Sequence, residues 1–511
     1  MNKECVLGLD IGTSSCKTIL LDKSGEIKGS YTVEHPISLP RAGWTEQNPQ
    51  DWWIAVKKSI RGLLEKTGNG KYIRAVGLSG QMHGLVALNK AGEVLRPCIL
   101  WNDQRSAPQC EQIYQLVGGE ENLLRLSNNS MLPGYTAGKI LWVRENEPHI
   151  YEKIKKVLVP KDYIRYRLTG EFATEVSDAS GTGLFNVKER VWSDKLLEIL
   201  KIPRELLPNC YESPEVSGNL LDKVAEELGL PFALPVAGGG GDAVIQAVGA
   251  GITSEETALV VIGTSGVVSL SLPCYFDNPE GKLQFFCNVM PGKWLAFGCS
   301  LNAGGVLRWF RDSLGELEVA LSKNLSESSY DILTLEAKKS SPGSNGLIFL
   351  PYLSGERCPH TDPDARGVIV GLGLNSRKCD IVRSVYEGVV YNLKSVLECV
   401  GQIGIHPEKI RASGGGAKSS FWRQIQADVF NKEVTTVRYS EEGAALAAAI
   451  VAGVGVGLWS CVEEATSLFP IESRTEPIPD NVKVYEKMFN TYKKLYGQLK
   501  PVFSELSSFS L

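Results

Sequence analysis

The chain has 511 residues, of which 43% are hydrophobic and 22% are charged, and its net charge is −4 at pH 7. A chain of this length exceeds what one hydrophobic core usually organises, so we expect two sizeable domains. The acidic balance and the lack of a basic block argue against nucleic acid as a partner, and no apolar run reaches the roughly 18 residues that a membrane span needs.

The twelve cysteines are dispersed singly between Cys5 and Cys461, without a C-x-x-C pair or a spacing typical of a zinc site. This distribution is typical of reduced thiols in a cytosolic protein. The first residues, MNKECVLGLD, lead directly into an apolar strand and show no signal-peptide core. We therefore expect a cytoplasmic protein.

The beginning of the chain predicts a β-hairpin, a third strand and a helix. Two short apolar runs, VLGLDIG and CKTILLD, flank a polar turn at residues 12–15, and SGEIKGSYTVEH continues as a strand. The segment NPQDWWIAVKKSIRGLLEK then has Asn48 as its N-cap and Pro49 at the first helical position. Its apolar residues recur every three or four positions, so one helix face should be buried.

Strand character returns in IRAVGLSGQMHGLVALN, around a glycine-rich turn. Further along, ALVVIGTSGVVSLSL at residues 258–272 repeats the pattern of LGLDIGTSSCKTILL: an apolar strand, a Gly-Thr-Ser turn and a second apolar strand. The two copies begin the two halves of the chain, which favours a gene duplication. We expect two similar α/β domains, residues 1–249 and 250–511, with the boundary near Gly249–Thr253.

The two Gly-Thr-Ser turns are candidate phosphate sites, although each by itself is also compatible with a plain tight turn. Small residues let backbone N–H groups approach anionic oxygens, and the hydroxyls add donors. Asp10 precedes the first turn inside an apolar strand, where an acid needs a partner, and Mg²⁺ is a suitable one. Lys17, in the next strand, is placed to reach a transferring phosphoryl group.

A third glycine-rich loop, SGGGAKSS, follows a strand-like segment and opens an amphipathic helix. Three consecutive glycines let a backbone lie against a flat ligand, and a helix N-terminus favours negative charge. No G-K-[ST] follows any of the glycine runs, so the loops do not form a Walker A motif.

A run of four glycines precedes a single acid in AGGGGDAVIQAVG, residues 237–249. We predict that a phosphoryl acceptor docks there and that Asp242 takes its proton, since the glycines remove side-chain bulk beside the carboxylate. An aspartate near its reference pKa of about 3.9 is ionised at pH 7 and ready for this role. The spacing does not fit the dinucleotide fingerprint, because the third glycine position falls on Ala243 or Val244.

Long stretches of the chain form one ordered pattern: LGLDIGTSSCKTILLD, GWTEQNPQDWW, GLSGQMHG, MLPGYTAGKILWVREN, VPKDYIRYRLTGEFATEVSDASGT, FLPYLSGERCPHTDPDARG and SGGGAKSSFWRQIQAD. This pattern resembles the FGGY family of carbohydrate kinases from Met1 to about residue 475. Both family signatures are present, one in GYTAGKILWVREN and one from Gly367 through GVIVGLGLNSRKCDIVRSVYE.

The resemblance implies an α/β fold of two actin-like, ribonuclease H-like ATPase domains with a central interdomain cleft. It implies ATP and Mg²⁺ as cofactors and a small sugar held mostly by the first domain, and it is closest to members that phosphorylate D-xylulose to D-xylulose 5-phosphate. Asp242 matches the catalytic base. The other implied site residues are Asp10 for the metal; Gly12, Thr13, Ser14, Ser15 and Lys17 at the first phosphate turn; Gly263, Thr264 and Ser265 at the second; Gly414, Gly415, Gly416, Ala417 and Lys418 for adenosine; and Gln81, Met82 and His83 for the sugar.

Two further segments each have two interpretations. Trp101, Asn102 and Asp103 follow an apolar strand and either line the sugar pocket or form a plain turn. Gly304 and Gly305, in LNAGGVLRW, either contact the nucleotide or only begin a helix.

Two departures from the family pattern leave the acceptor open: Ala243 stands where xylulose-phosphorylating members often have Asn, and one extra glycine precedes Asp242. Ribulose, L-xylulose, glycerol and a tetritol are alternative acceptors. A non-kinase actin-like ATPase, such as a chaperone or filament protein, is disfavoured by GQMHG and Asp242. A homodimer is compatible with the family pattern.

Overall fold

The computed structural model describes residues 4–68 and 70–509, and this part of the chain forms two compact units. The first contains the residues up to Thr253 together with Ser271–Leu295 and Glu442–Pro470, and the second contains the remaining segments. The units therefore differ from the continuous ranges 1–249 and 250–511, because two segments of the second half belong to the first unit. No local pattern shows to which unit these two segments belong, so a single cut in the sequence misses them.

The first half of the chain alternates short strands with helices. Its strands are β1 (Cys5–Ile11), β2 (Ser15–Asp22), β3 (Ile27–Glu34), β4 (Glu46–Gln47), β5 (Ile73–Gly80), β6 (Val86–Leu88), β7 (Cys98–Ile99), β8 (Lys156–Leu158), β9 (Ala173–Glu175), β10 (Phe185–Asn186), β11 (Val191–Trp192), β12 (Asn209–Tyr211), β13 (Val216–Asn219), β14 (Pro235–Ala237) and β15 (Gly240–Gly241). Its helices are α1 (Pro49–Thr67), α2 (Ala107–Val117), α3 (Glu120–Ser127), α4 (Thr136–Asn146), α5 (Pro148–Tyr151), α6 (Pro160–Thr169), α7 (Val176–Ser180), α8 (Asp194–Leu200), α9 (Asp222–Leu228) and α10 (Asp242–Gly249).

The second half of the chain is also a mixture of strands and helices. Its strands are β16 (Thr257–Ile262), β17 (Gly266–Leu272), β18 (Gln284–Cys287), β19 (Trp294–Ser300), β20 (Ile348–Pro351), β21 (Gly367–Val370), β22 (Lys409–Ser413), β23 (Val434–Val437) and β24 (Ile471–Thr475). Its helices are α11 (Gly304–Leu314), α12 (Glu316–Leu325), α13 (Ser329–Ala337), α14 (Lys378–Gly401), α15 (Ser420–Phe430), α16 (Gly443–Gly455), α17 (Val462–Thr466) and α18 (Pro479–Ser507).

The main sheet of the first unit has the strand order β13-β14-β5-β1-β2-β3, and β15 also pairs with β5. β1 and β2 form the antiparallel hairpin that the sequence predicts, and β2 pairs antiparallel with β3. β1 and β14 both run parallel to β5, whereas β13 is antiparallel to β14.

The sheet that contains the second Gly-Thr-Ser turn repeats this arrangement, with the order β18-β19-β17-β16-β22-β23-β24. β16 forms an antiparallel hairpin with β17 and runs parallel to β22, which in turn runs parallel to β23. β24 is antiparallel to β23, as β13 is to β14. The matching order supports the internal repeat that the sequence predicts.

Helix α1 follows the sequence-based expectation at its start and along its buried face. The side chain of Asn48 accepts a hydrogen bond of 3.0 Å from the backbone N–H of Gln50, which satisfies an N–H group that the helix leaves unpaired. Trp52, Val56 and Ile60 are fully buried on the side that packs against β2 and β3. The periodic apolar pattern was therefore sufficient to place this element.

The alanine-rich helix α16 lies directly against the first sheet, with almost no space between the two backbones. A Cβ atom on Gly8 of β1 would stand 2.1 Å from the carbonyl oxygen of Ala445, and one on Gly77 of β5 would stand 1.8 Å from that of Ala448. Glycine is thus required on the strands and small residues on the helix.

No helix in residues 4–68 or 70–509 is both long and apolar enough to cross a membrane.

The C-terminal helix α18 packs on the second unit, a matter that the sequence left open. The hydroxyl of Tyr485 donates to Glu387 at 2.7 Å, and the hydroxyls of Tyr492 and Tyr352 lie 2.9 Å apart. Glu387 also pairs with Arg383 on the same turn of α14 at 2.7 Å. These buried polar contacts hold α18 against α14 and against Tyr352, the residue that follows β20.

Candidate active site

Two carboxylates lie at the carboxyl ends of two strands, β1 and β15, that both run parallel to β5 in the first unit. Asp10, near the end of β1, is in register with Ser79 on β5, and Ser79 is in register with Gly240 on β15. Asp242 follows β15 directly as the first residue of α10. The fold therefore brings together two acids that are more than 200 positions apart in the sequence.

The pKa of Asp242 is raised to about 7, first by burial and then by the negative charge of Asp10, while the backbone N–H of Ala243, 2.7 Å from its Oδ1, opposes the shift. Burial also raises the pKa of Asp10, against a 2.9 Å hydrogen bond from the Ser79 hydroxyl and the charge of Lys17. The expectation that Asp242 keeps its ordinary pKa near 3.9 is therefore wrong. Composition cannot show that a second acid stands beside it.

The carboxylate oxygens at this edge of the sheet suit a hard cation that also binds water and substrate phosphates. Asp10 and Asp242 offer oxygen atoms, and no group of three or more His, Cys, Asp or Glu side chains in the described ranges is arranged to hold a metal. Mg²⁺ usually binds one or two carboxylates together with water and substrate phosphates. The residues present therefore fit Mg²⁺ in company with a nucleotide, and the assignment of Asp10 to the metal stays a prediction.

The first phosphate turn is closed by a hydrogen bond of 3.0 Å from the N–H of Gly12 to the carbonyl of Ser15. The indole N–H of Trp101 donates to the Thr13 hydroxyl at 3.0 Å, so Trp101 lies beside this turn with 42% of its surface exposed. Ser14 is exposed at the tip of the turn. The ammonium of Lys17 is paired with Glu442 at 2.9 Å, and its remaining N–H donors are the ones that could bind phosphate without breaking this pair.

Asn102 and Asp103 differ in their exposure to solvent and in their contacts. Asn102 is exposed, whereas Asp103 is fully buried and ion-paired with Arg105 at 2.8 Å. Asp103 also accepts the backbone N–H of Thr45 at 2.6 Å. The Asp103 carboxylate therefore holds the 101–105 turn, and its assignment to the sugar stays a prediction.

The predicted sugar residues Gln81, Met82 and His83 follow β5 directly. The amide Nε2 of Gln81 donates to Gln47 at 2.8 Å, and its backbone N–H donates to the carbonyl of Ile11 at 2.9 Å. Met82 is buried against the glycine run, where a Cβ on Gly241 would stand 2.6 Å from its Cγ. Met82 therefore lies next to the residue that precedes Asp242.

His83 has a left-handed backbone conformation with φ of 68°. Its Nδ1 lies 2.6 Å from the carbonyl oxygen of Gly181, and its ring packs against Tyr135 with centroids 4.8 Å apart. A carbonyl oxygen only accepts, so Nδ1 carries the proton and Nε2 is the acceptor in the neutral ring. Such a ring is suited to accept a hydrogen bond from a sugar hydroxyl.

The four glycines before Asp242 make room for protein atoms, which corrects the expectation that they make room for a ligand. A Cβ on Gly238 would stand 2.7 Å from the carbonyl oxygen of Glu212, and one on Gly239 would stand 2.0 Å from that of Leu78. Gly239 also has φ of 72°, a conformation that favours glycine. The run is therefore required to seat this segment against β5 and its neighbours.

A group of fully buried, charged side chains packs against the backbone at the start of the glycine run. The sequence analysis did not identify this group. Lys161 lies 2.7 Å from Asp162 and 3.2 Å from Asp178, while Arg165 donates to the carbonyl of Ala237 at 2.7 Å. The signal was visible as charged residues inside the otherwise apolar stretch VPKDYIRYRLTG. What the charges meet was not visible, because their partners come from three other segments.

In the second unit, the two predicted nucleotide loops line one cavity of about 410 Å³. The cavity is lined by Ile262, Gly263, Thr264, Gly304, Leu307, Arg308, Tyr330, Asp331, Thr334, Tyr386, Gly415, Gly416, Lys418, Ser419 and Trp422. Gly304 of α11 was predicted, and Tyr386 of α14 lies within the second family signature without having been assigned to the nucleotide. The other lining residues of α11 and those of α13 carry no motif and were not found from the sequence. Ser265, Gly414 and Ala417 lie in the same loops without lining the cavity.

Close packing explains why this cavity is framed by glycines. Cβ atoms on Gly414 and Gly416 would stand 2.7 and 2.6 Å from Ile262. The backbone N–H groups of Gly304 and Gly305 donate to the carbonyls of Gly263 and Thr264 at 2.7 and 3.0 Å. Both N–H groups are therefore occupied as α11 begins, and Gly304 lines the cavity without a free backbone donor.

Two models of one protein family match most of the chain. The model of the FGGY family of carbohydrate kinases, N-terminal domain, matches residues 5–249, and the model of the C-terminal domain of the same family matches residues 258–456. This chain belongs to the FGGY family of carbohydrate kinases. The fold of the kinase is accordingly the two-domain, actin-like ATPase fold.

Curated relatives and a solved structure cover almost the whole kinase. It is 36% identical over 493 residues to a xylulose kinase of Staphylococcus xylosus, covering 96% of this chain and 99% of that one. It is 30% identical over 508 residues to a gluconokinase of Bacillus subtilis, covering 99% and 98%. A ligand-bound xylulose kinase from Lactobacillus acidophilus superposes with a TM-score of 0.91 at 28% identity, covering 98% and 100%.

Proposed function

We propose that this kinase transfers the γ-phosphate of ATP to D-xylulose and forms D-xylulose 5-phosphate. The observation that carries the proposal is the placement of Asp10 and Asp242 at one sheet edge, with Met82 packed against the glycine that precedes Asp242. Relatives at 36% identity that are xylulose kinases support the choice of acceptor. Gluconate is the second candidate, because a gluconokinase is 30% identical over nearly the same length.

In this mechanism Asp242 is the general base. Its carboxylate takes the proton of the sugar hydroxyl while that oxygen forms a bond to the γ-phosphorus, and the bond from the γ-phosphorus to the bridging oxygen breaks to release ADP. A pKa of about 7 suits this task, because the base is substantially ionised at neutral pH and still holds a proton well.

Asp10 is the residue that would hold Mg²⁺, which when bound neutralises charge on the phosphate oxygens. The nucleotide is assigned to the cavity of the second unit. There the rings of Trp422 and Tyr386, whose centroids are 4.9 Å apart, offer an apolar surface for the base, and the turn at Gly263 and Thr264 offers small residues for the phosphates.

An acceptor screen tests the proposal. ADP release should be fastest, measured as kcat/KM, with D-xylulose and at least about tenfold slower with gluconate, ribulose, L-xylulose, glycerol or a tetritol. Asp242→Asn should bind both substrates and lose about 10²–10⁴-fold in kcat. Absence of turnover with D-xylulose would contradict the acceptor, and near-normal turnover of the variant would remove Asp242 from the mechanism.

A further inference from the structure

Lys139 is fully buried, yet its ammonium group is bound by backbone carbonyls. Its Nζ donates to the carbonyl oxygen of His83 at 2.9 Å and to that of Gly134 at 2.6 Å. No ion pair to Lys139 occurs in the described part of the chain. The residue stands in GYTAGKILWVREN, a segment to which the proposed function assigns no task.

The carbonyl that Lys139 holds belongs to the residue with the unusual backbone. His83 has φ of 68°, a conformation that costs a non-glycine residue of order 1–3 kcal/mol unless its surroundings enforce it. The same carbonyl accepts a second hydrogen bond, 3.0 Å from the hydroxyl of Thr136. Two donors from α4 therefore fix the peptide of His83.

Fixing the peptide also fixes the ring. The imidazole of His83 is held at its other end by the carbonyl of Gly181, 2.6 Å from Nδ1, and at its face by Tyr135 and Phe286. A rotation of the His83 peptide would carry the ring away from Gly181. The direction of Nε2 thus depends on the donors that hold the main chain.

Burying an ammonium group costs more free energy than filling the same volume with an apolar side chain. Burial lowers the pKa of Lys139 to about 7, and replacing a buried charge by an apolar side chain of similar volume is often neutral or stabilising. Packing alone would therefore favour methionine or leucine at this position. The charged donor is explained if it serves the orientation of another residue.

We propose that Lys139 is a positioning residue that holds the carbonyls of His83 and Gly134, so that the imidazole of His83 is aligned to accept a hydroxyl of the sugar. The inference rests on the proposed role of His83 in sugar binding. It assigns Lys139 no contact with the substrate and no part in phosphoryl transfer.

Lys139→Met tests this role. We expect the Kd for D-xylulose, measured by calorimetry without nucleotide, to rise about 10- to 100-fold, with KM for ATP within about twofold of the wild type. The unfolding temperature at pH 8 should be equal or higher, because folding at this pH removes the proton from Lys139 at a cost in free energy that methionine does not have. A merely structural lysine would give the opposite pair of results, a lower unfolding temperature and an unchanged Kd.

Lys156→Met is a matched control, because the Nζ of Lys156 also donates to two backbone carbonyls, those of Glu205 at 2.8 Å and Leu207 at 3.3 Å. Its Kd for D-xylulose should equal that of the wild type. Lys139→Gln keeps an N–H donor and should show an intermediate Kd, which also provides the test if methionine impairs folding.

A double-mutant cycle with His83→Ala decides whether Lys139 acts through the ring. In the His83→Ala background, Lys139→Met should change the Kd by less than about twofold; penalties that multiply would overturn the proposal. A wild type that does not bind D-xylulose would instead refute the proposed acceptor. The role of Lys139 is then tested without a ligand, by ¹⁵N NMR of the histidines: the Nδ1-protonated signal of His83 should be lost in Lys139→Met, and an unchanged signal would overturn the inference.

Discussion

At the residue scale, the environment of Asp242 lowers the free energy of unfolding of the protein near neutral pH. Burial and the charge of Asp10 raise its folded-state pKa to about 7, from an ordinary value of 3.8. Between these two pH values the folded state holds a proton that the unfolded state has released, so this group's contribution to stability falls as the pH rises towards 7. A residue kept in spite of that cost is typical of a functional site.

We therefore expect Asp242→Asn to be more stable than the wild type, by a margin that grows by about 2–3 kcal/mol between pH 5 and pH 8. Asparagine does not titrate and keeps an oxygen for the N–H of Ala243. Urea unfolding at both pH values measures the margin. A margin that stays constant would show that Asp242 titrates normally. The same variant, Asp242→Asn, should therefore both gain stability and lose turnover.

At the scale of elements, the contact between α16 and the first sheet depends on glycines in the strands, which have no side chain to separate the two backbones. The carbonyl oxygen of Ala448 would lie 1.8 Å from a Cβ on Gly77, so Gly77→Ala must push the helix away from β5. We expect a loss of about 3 kcal/mol or more in the free energy of unfolding. Gly497→Ala is the control, because nothing lies within 4 Å of its added Cβ and alanine favours a helix. Equal effects of the two variants would contradict the close contact.

At the scale of the whole molecule, the first unit is assembled from three separate segments of the chain. A fragment ending at Thr253 lacks α16, which covers β1 and β5 in the complete protein. We expect this fragment to unfold without a cooperative transition and to bind a hydrophobic dye, whereas the full chain unfolds cooperatively. Near-UV circular dichroism and urea titration measure the difference. A fragment with native-like, cooperative unfolding would contradict this account of the unit.

Local patterns were sufficient for much of the fold and for part of the candidate site. The hairpin around residues 12–15, helix α1 from its cap at Asn48, and the repeated Gly-Thr-Ser turn follow from short-range preferences, and the structure confirms them. The assignments of Met82, His83 and Asp242 to substrate stay predictions. The contacts of Asp103 with Arg105 and Thr45 were not predicted, because a Trp-Asn-Asp sequence does not show which groups surround its carboxylate.

The amino-acid sequence by itself determined the family, the repeated α/β design and the candidate phosphate turns, because each depends on residues close together in the chain. Only the tertiary structure decided the pKa of Asp242, the packing need behind its four glycines, and the membership of residues 442–470 in the first unit. These properties depend on atoms from distant segments: a carboxylate on another strand, a carbonyl beneath a glycine, and a helix that reaches the first sheet from near the end of the chain. Long-range contacts of this kind leave no periodic trace in a single sequence.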